Sequence, residues 1–484
     1  MAAGKSGLAG NGFTGIPREW SLSEGGRLYH ARVTIPLCAK GPDEESRVND
    51  TNAGPGVTPR RRWSQHTKIF LGLFIGGFLG VTANLALGDD DRLRALVSNV
   101  TIPAGQIFLR LIFMVVIPLV VSAIILGVAE LGDPRRLGRV GLKTLALTLA
   151  LSSVSVLIGV TLANIIRPGA GLSESSRTKL LEVMGRYSGV VKEPPPPKTG
   201  LQILVDLIPE NPVKAMTGAL EGEMIAVMVF ALVIGVAVTM IERRAAEPLL
   251  LWLQSVYEVV LKVIGLAMRQ APYGVAALLF SVTATAGLDA LKALFLYVVT
   301  VLLGLALHQY VTYSLLLKYY VRYSPRLFFS RLREVMITAF STSSGNATLP
   351  VTLRVAENEL GIPRSIGGFV LTLGSTLNQN GTALYEGITV LFLAEFFGVH
   401  LTIGGQVTVV LLSILSGIGT AGVPGGSLPL VTALLVTIGV PYRAIGMIVG
   451  IERLLDMCRT VLNVTGDVTA AACVARSEGH ILKP

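Results

Sequence analysis

The residues best equipped for chemistry stand inside an apolar stretch near the C-terminal end of the chain. Between the apolar flanks Ala444–Ile451 and Val468–Ala475 lie Glu452, Arg453, Asp456, Arg459, Thr460, Asn463 and Asp467. Asp456, Arg459, Thr460, Asn463 and Asp467 recur at i, i+3, i+4, i+7 and i+11, which is one face of a helix. An ionised group at the centre of a bilayer costs about 2.5–3.5 kcal/mol even on the lenient insertion scale. A face of two acids, an arginine, a threonine and an asparagine therefore looks inward, onto a ligand or ions. An Asp456–Arg459 pair that glues helices together accounts for those two residues but leaves Asn463 and Asp467 unexplained. Arginine offers a carboxylate a bidentate fork. Asp456 can accept from an ammonium, and Asn463 can donate to a second carboxylate. An acid at depth with carbonyls nearby suits a desolvated hard cation. Together these groups describe a site for a zwitterion with an extra acidic group, glutamate or aspartate.

Composition supplies the setting. The chain has 484 residues, 51% hydrophobic and 15% charged, with a mean hydropathy of +0.63. A soluble domain carries about 25% charged residues, so a large multidomain soluble protein is excluded, and so is a disordered one. The formal charge of +10 fits basic cytoplasmic loops and calls for no nucleic-acid partner. Cys38, Cys458 and Cys473 form no CxxC pair and no metal spacing. Charge-free stretches at Ile69–Gly88, Leu111–Ala129, Thr144–Ile166, Met224–Ile241, Gln270–Leu288 and Ala293–Leu317 each have the length of a membrane-spanning helix, roughly 18–25 residues. The first starts too far into the chain for a signal peptide and lacks a small-residue cleavage site. Basic residues fill every second loop: Arg60–Arg62 and Lys68, then Arg135, Arg136, Arg139 and Lys143, then Arg243 and Arg244, then Lys318 to Arg333. The loop after the first span, Asp89 to Arg92, is acidic. The N-terminus is therefore expected in the cytoplasm.

Residues 1–66 are rich in Gly, Ser and Pro and read as a disordered cytoplasmic tail. Glu174–Lys198, with its run Pro194–Pro197, reads as an extended extracellular loop. From Arg364 the clean spans stop. Ile366–Tyr385 is broken at its centre by Asn378-Gln379-Asn380-Gly381-Thr382, and Phe396–Tyr442 is charge-free, too long for one span and too short for two with a normal loop. At its middle lies the tip Ser416–Ser427, rich in Gly with one Pro; an earlier small-polar tip runs from Ser341 to Thr348. Two re-entrant hairpins, each followed by an interrupted span, predict inverted repeats around a midplane site. Gly417, Gly419 and Gly422 match GxGxxG but lack the strand and the downstream acid of a dinucleotide site. His308 and His400 read as packing residues, Cys458 as a small core residue near the site, and Glu258 with Lys262 as a helix-surface pair. Glu386, four positions after Thr382, is a candidate proton carrier or a structural hydrogen-bonding group.

The sequence resembles the dicarboxylate/amino acid:cation symporter family, which includes the glutamate transporters. The resemblance covers about residues 67–478. It is carried by Ser343-Ser344 with Thr348–Thr352, by Asn380–Tyr385, by Gly419–Gly425, and by Asp456–Thr460 with Asn463–Asp467; Gly138–Gly141 and Pro168–Gly171 also fit. It implies an all-α integral membrane fold with eight transmembrane helices, two re-entrant hairpins and elevator transport, assembled as a homotrimer in the plasma (inner) membrane with both termini cytoplasmic. Residues 67–324 would supply the scaffold and trimerisation helices together with helices 3 and 6 of the transport domain. Residues 325–478 would form the core transport region. By the same resemblance Asp456 holds the substrate amino group and Arg459 its side-chain carboxylate, assisted by Thr382 and Thr460. Asn463 with Ser343 and Ser344 holds the main carboxylate, and the tip at Val423, with Ser427, closes the outer side. Asp467 with Asn378 and Asn463 matches a first sodium site, and carbonyls around Thr376, Ile418 and Thr420 a second; Gly374 belongs among these cation-binding positions.

Two departures stand out. The family's Met-Asp before Gly-Thr is Gln379-Asn380 here, and a Thr-Ser pair of the third span is Leu151-Ser152. Both strike a third sodium site. The expectation is symport with fewer sodium ions and with protons, through Glu386, carrying part or all of the coupling; no other cofactor is called for. A C4-dicarboxylate carrier is the alternative within the class, although its members generally lack the acid matched to Asp456. An ion channel needs a continuous polar pore, whereas these groups cluster at one depth. A hydrolase built on Ser343 or Ser344 lacks a histidine base.

Overall fold

Small residues let the first helices approach closely. The protein, seen in a computed structural model, is described at residues 65–88, 90–130, 138–171, 178, 205, 208–219, 224–419 and 427–484; these lie in one unit, Trp63–Pro484. The expected tail falls outside them apart from Gln65 and His66, which begin the first helix, and so does the loop at 174–198 apart from Thr178. Helix α1 (Gln65–Leu87) runs along the helix α8 (Arg243–Leu307). Its Gly72 and Gly76 face the Pro272 and Ala276 carbonyls so closely that a Cβ would come within 2.2 Å of either oxygen. This is the small-residue contact by which apolar helices pack when water supplies no driving force. Asp90 caps α2 (Asp91–Leu96) by accepting from the Arg92 amide at 2.8 Å. Wider π turns at Val97–Thr101 lead into α3 (Ile102–Phe113), followed by α4 (Val116–Glu130).

Helix α5 (Gly138–Ile166) is followed among the described residues by α6 (Pro212–Thr217), capped by Asn211, and α7 (Met224–Met240). The expected spans Gln270–Leu288 and Ala293–Leu317 are parts of α8, which begins much earlier, at Arg243. Its first half carries Glu247, Glu258, Lys262 and Arg269 on exposed positions, and those charges hide the helix from a hydropathy scan. Gln254, rather than Lys262, donates to Glu258, at 3.1 Å. The two halves of α8 meet at Gly287, whose φ of 62° no other residue type adopts readily. π turns at His308–Thr312 and Leu316–Val321 extend the second half. Among the described residues, four segments are long and apolar enough to cross a membrane: Thr67–Leu87, Asp91–Ala129, Arg139–Ile166 and Arg243–Val321.

The rest is helical hairpins and interrupted helices, with no strand among the described residues. Helices α9 (Pro325–Arg331) and α10 (Arg333–Thr342) form the first arm of a hairpin and α11 (Gly345–Asn358) the second. Then come α12 (Arg364–Leu377) and α13 (Asn380–Phe396), the arms α14 (Ile403–Gly419) and α15 (Leu428–Thr437), and the long α16 (Val449–Ser477). The tip between α14 and α15 lies outside the described residues. Helices α10, α11 and α12 pack on α16 around Val335, Ala339, Val355, Val370, Val464 and Val468, while α13 is wedged between α5, α14 and α16.

Candidate functional site

Four elements converge where the chain between α12 and α13 leaves the helix. Asn378 and Gln379 there adopt ψ of 61° and 54°, which frees backbone groups that need partners inside a buried environment. Helix α16 supplies one: the Asn463 Oδ1 accepts from the Gly381 amide at 2.7 Å. The other end of Asn463, its Nδ2, donates to the Gln379 Oε1 at 2.5 Å and to the Thr382 hydroxyl at 3.3 Å. Gln379 in turn donates to the Ser375 carbonyl at 3.1 Å. Gly381 permits this approach, since a Cβ there would lie 2.9 Å from the Arg459 carbonyl. Gly417 of α14 lies against the Gln379 carbonyl, and Gly345 of the first hairpin against that of Ser375.

One turn before Asn463, α16 carries a buried charge cluster. The Arg459 Nε and Nη2 donate to Asp456 Oδ1 at 3.0 and 2.7 Å, and Nη2 also donates to Glu452 Oε1 at 2.8 Å. Arg453, further out, donates to Asp456 Oδ2 at 3.3 Å. The guanidinium carbon lies 4.6 Å from the Tyr385 ring centre, a cation–π contact. The Arg459 Nη1 is buried with no hydrogen-bond partner among the described residues. Among those residues two acids thus face two arginines. Glu452 was named among the charges of this stretch but not placed on the polar face, although it stands four and seven positions before Asp456 and Arg459 and so shares their face. Thr460 turns its hydroxyl back to the Asp456 carbonyl at 2.7 Å.

Asp467, two turns further along α16, has no such balance. It is buried, and its Oδ1 accepts from the Asn378 side chain at 2.9 Å. No ion pair reaches it among the described residues. Gly374 is pressed close, with room for no side chain: a Cβ would stand 2.6 Å from that same oxygen. The Asn378 Oδ1 is buried without a partner. A lone carboxylate beside an unsatisfied amide oxygen and an irregular backbone fits a hard cation. The Thr376 methyl lies toward Gly127 of α4. Ile418 lies in the last turn of α14; its side chain, Thr420 and Val423 lie outside the described residues. Ser427 is buried with its hydroxyl unpartnered.

At the first hairpin, Ser343 takes the left-handed turn with φ of 50° and has a buried, unpartnered hydroxyl. Ser344 caps α11 by accepting from the Ala347 amide at 3.2 Å. Glu386 is fully buried; its Oε1 accepts from Ser416 of α14 at 2.8 Å, and its Oε2 has no partner. Asn380, where the family pattern has an acid, is held by hydrogen bonds: Ser152 donates to its Oδ1 at 2.7 Å, Ser155 to its carbonyl at 2.6 Å, and its Nδ2 donates to Tyr313 at 3.2 Å. Leu151, beside Ser152, is buried.

Two expectations need correction. His400 is exposed between α13 and α14, not a packing residue; His308 is buried, edge-on to Tyr313 at 4.8 Å. Cys458 is half-buried rather than part of the core, on the side of α16 away from the charge cluster. Gln379, first met as a departure from a pattern, is the amide that ties Asn463 to the helix break.

A charge-balanced face between two hairpins and an interrupted helix belongs to a class of membrane proteins that move charged solutes. The sodium:dicarboxylate symporter family model matches residues 66–477, and the chain belongs to that family. It is 33% identical over 422 residues to a proton/sodium-glutamate symport protein of Bacillus subtilis (strain 168), covering 87% of this chain and 94% of the relative. It is 31% identical to a proton/glutamate-aspartate symporter of Escherichia coli (strain K12), covering 86% and 92%. It is 28% identical to a C4-dicarboxylate transport protein of Bacillus subtilis (strain 168), covering 78% and 87%.

Proposed function

We propose that the protein is a secondary active symporter of acidic amino acids, glutamate or aspartate, coupled to protons, sodium ions or both. The observation that carries this reading is Arg459: a buried guanidinium, oriented by Asp456 and Glu452, with Nη1 left open. A substrate ammonium would bind Asp456 while the side-chain carboxylate took the open edge of Arg459. Thr382 and Thr460 flank that carboxylate, and Asn463 with Ser343, Ser344 and the Val423–Ser427 tip receives the main one. The names of the two bacterial glutamate symporters support the same substrate class.

The charges suggest the coupling. The cluster on α16 is neutral by itself, so an acidic amino acid adds one negative charge and Asp467 another. Moving that load through a low-dielectric environment is costly until cations neutralise it. Asp467, Gly374, Asn378 and Asn463 would take one sodium ion, and the carbonyls at Thr376, Ile418 and Thr420 a second. Asn380 needs no cation, since its partners are neutral hydroxyls. Glu386 is neutral when protonated, and a proton would serve its unpartnered oxygen as the hydrogen for a second bond. We further assign eight transmembrane helices and two re-entrant hairpins to the fold. Within it, a scaffold in residues 67–324, with helices 3 and 6 of the mobile part, carries a core transport region at 325–478. An elevator motion, a homotrimer in the inner membrane and cytoplasmic termini complete the reading.

Uptake of labelled aspartate into proteoliposomes tests it. Accumulation against a gradient is expected when a pH gradient is imposed alone, and Glu386→Gln should abolish that part. Uptake that demands sodium, ignores pH and survives Glu386→Gln would remove the proton from the reading. No concentrative uptake under either gradient would remove the symporter.

A further inference from the structure

Cys458 and Val461 point away from the charged face of α16, into a second concavity. With Leu302 and Leu305 of α8 and Phe329 and Phe340 of the first hairpin arm they line an open cleft of about 700 Å³. That size lies within the range of about 300–1,000 Å³ typical of sites for small organic molecules. Its walls are mostly apolar, and Arg326 and Arg333 are among the residues that line it. Both are exposed, and neither has an ion-pair partner among the described residues. Their neighbours are committed elsewhere. Arg331 donates to the Glu359 and Lys483 carbonyls at 2.9 Å, and Arg354 pairs with Glu334. The cleft therefore combines an apolar lining with two guanidinium groups that have no partner among the described residues, which is the chemistry that receives an amphiphile with an anionic head.

We propose that this cleft is a binding site for an anionic phospholipid of the bilayer, its phosphate on Arg326 and Arg333 and an acyl chain along Leu305 and Phe340 toward Cys458. Guanidinium groups clasp phosphate oxygens in a bidentate fork. The basic residues after the sixth apolar span mark the cytoplasmic side, where anionic lipids concentrate. The proposal rests on the chain spanning a bilayer and is independent of the substrate assigned above.

Lipid binding is the readout, not transport. The full chain is placed in nanodiscs of phosphatidylcholine with and without phosphatidylglycerol. Retained lipid is measured by native mass spectrometry, and Cys458 accessibility by maleimide labelling, with Cys458→Ser to assign the signal. Phosphatidylglycerol is expected to be retained over phosphatidylcholine and to slow labelling of Cys458. Arg326→Gln/Arg333→Gln should lose about tenfold or more of that preference and restore labelling. Equal retention of the two lipids by the wild type, which needs no variant, would overturn the proposal. So would an undiminished preference in the double variant, or protection of Cys458 that follows protein concentration instead of lipid charge, the signature of a second copy covering the cleft.

Discussion

The two halves of α16 treat buried acids in opposite ways. In the first half Glu452 and Asp456 share Arg459, and Arg453 reaches Asp456 from the rim. In the second half Asp467 has an amide for company and, among the described residues, no cation. A buried ion pair is costly to assemble and costlier to break, so the first half is a fixed electrostatic frame. The second half is an acid for which the described residues supply no counter-charge. The contrast separates a region fit for a zwitterionic solute from one fit for an ion.

Breaking the frame has the largest expected effect. Arg459→Ala leaves Glu452 and Asp456 buried without their shared partner, a loss of about 3–5 kcal/mol for a buried pair. Uptake of glutamate and aspartate should fall at least a hundredfold, and binding of neutral amino acids should be gained relative to acidic ones. Normal aspartate transport by Arg459→Ala would show that the guanidinium holds the frame and not the substrate. Asp456→Asn is the next largest and separates the amino-acid reading from the C4-dicarboxylate one suggested by the third relative. An ammonium is present in aspartate and absent from succinate. Aspartate binding should therefore weaken far more than any succinate binding, by about tenfold to a hundredfold for a lost charge-assisted contact. Equal losses would favour the dicarboxylate.

How much of this was legible before the fold is best judged residue by residue. Ionisable groups in an apolar helix are so costly that Asp456, Arg459 and Asp467 announced themselves by spacing alone. The helix break at Asn378–Gln379 was equally plain, because adjacent amides and a glycine cannot sustain an apolar span. Glu452 was named but left off the face because it stands at the edge of the apolar flank, where an acid is ordinary; its register with Arg459 was the available signal. Gln379 and Asn380 were read as losses from a pattern. Which hydroxyls replace a missing charge depends on α5 and Tyr313 being brought to the break, and no local spacing encodes that. The start of α8 at Arg243 was hidden because a helix with one wet face has no long charge-free run.

Asp467→Asn sharpens the other side of the comparison. The amide keeps the shape and can still hydrogen-bond Asn378, so the fold should persist. The negative charge is lost, and sodium affinity, read from the sodium dependence of uptake or of thermal stabilisation, should weaken by about tenfold or more. An unchanged sodium dependence would move the ion elsewhere. The charge cluster should be untouched, so aspartate binding at saturating sodium should change much less than in Arg459→Ala.

The smallest effect is expected where an acid is paired in contact with water. Glu478, just past the end of α16, accepts from Lys143 at 2.7 Å and from Arg139 at 3.0 Å, tying α16 to the start of α5. These two cations hold its carboxyl down to about 2. Because the folded value lies below the ordinary one, the pair stabilises the fold above the usual carboxylate range, and its contribution is lost as pH falls toward about 2. At neutral pH the contribution is fully present but small, since surface pairs are screened and cost side-chain entropy. Glu478→Gln should therefore lower the melting temperature by less than about 2 °C. The difference from wild type should stay constant from about pH 8 to about pH 5 and shrink below that range. A thermal-shift series across pH in high and low salt checks both statements. A larger drop, or one insensitive to salt, would mean that this junction belongs with the buried frame of α16 and not with its wet end.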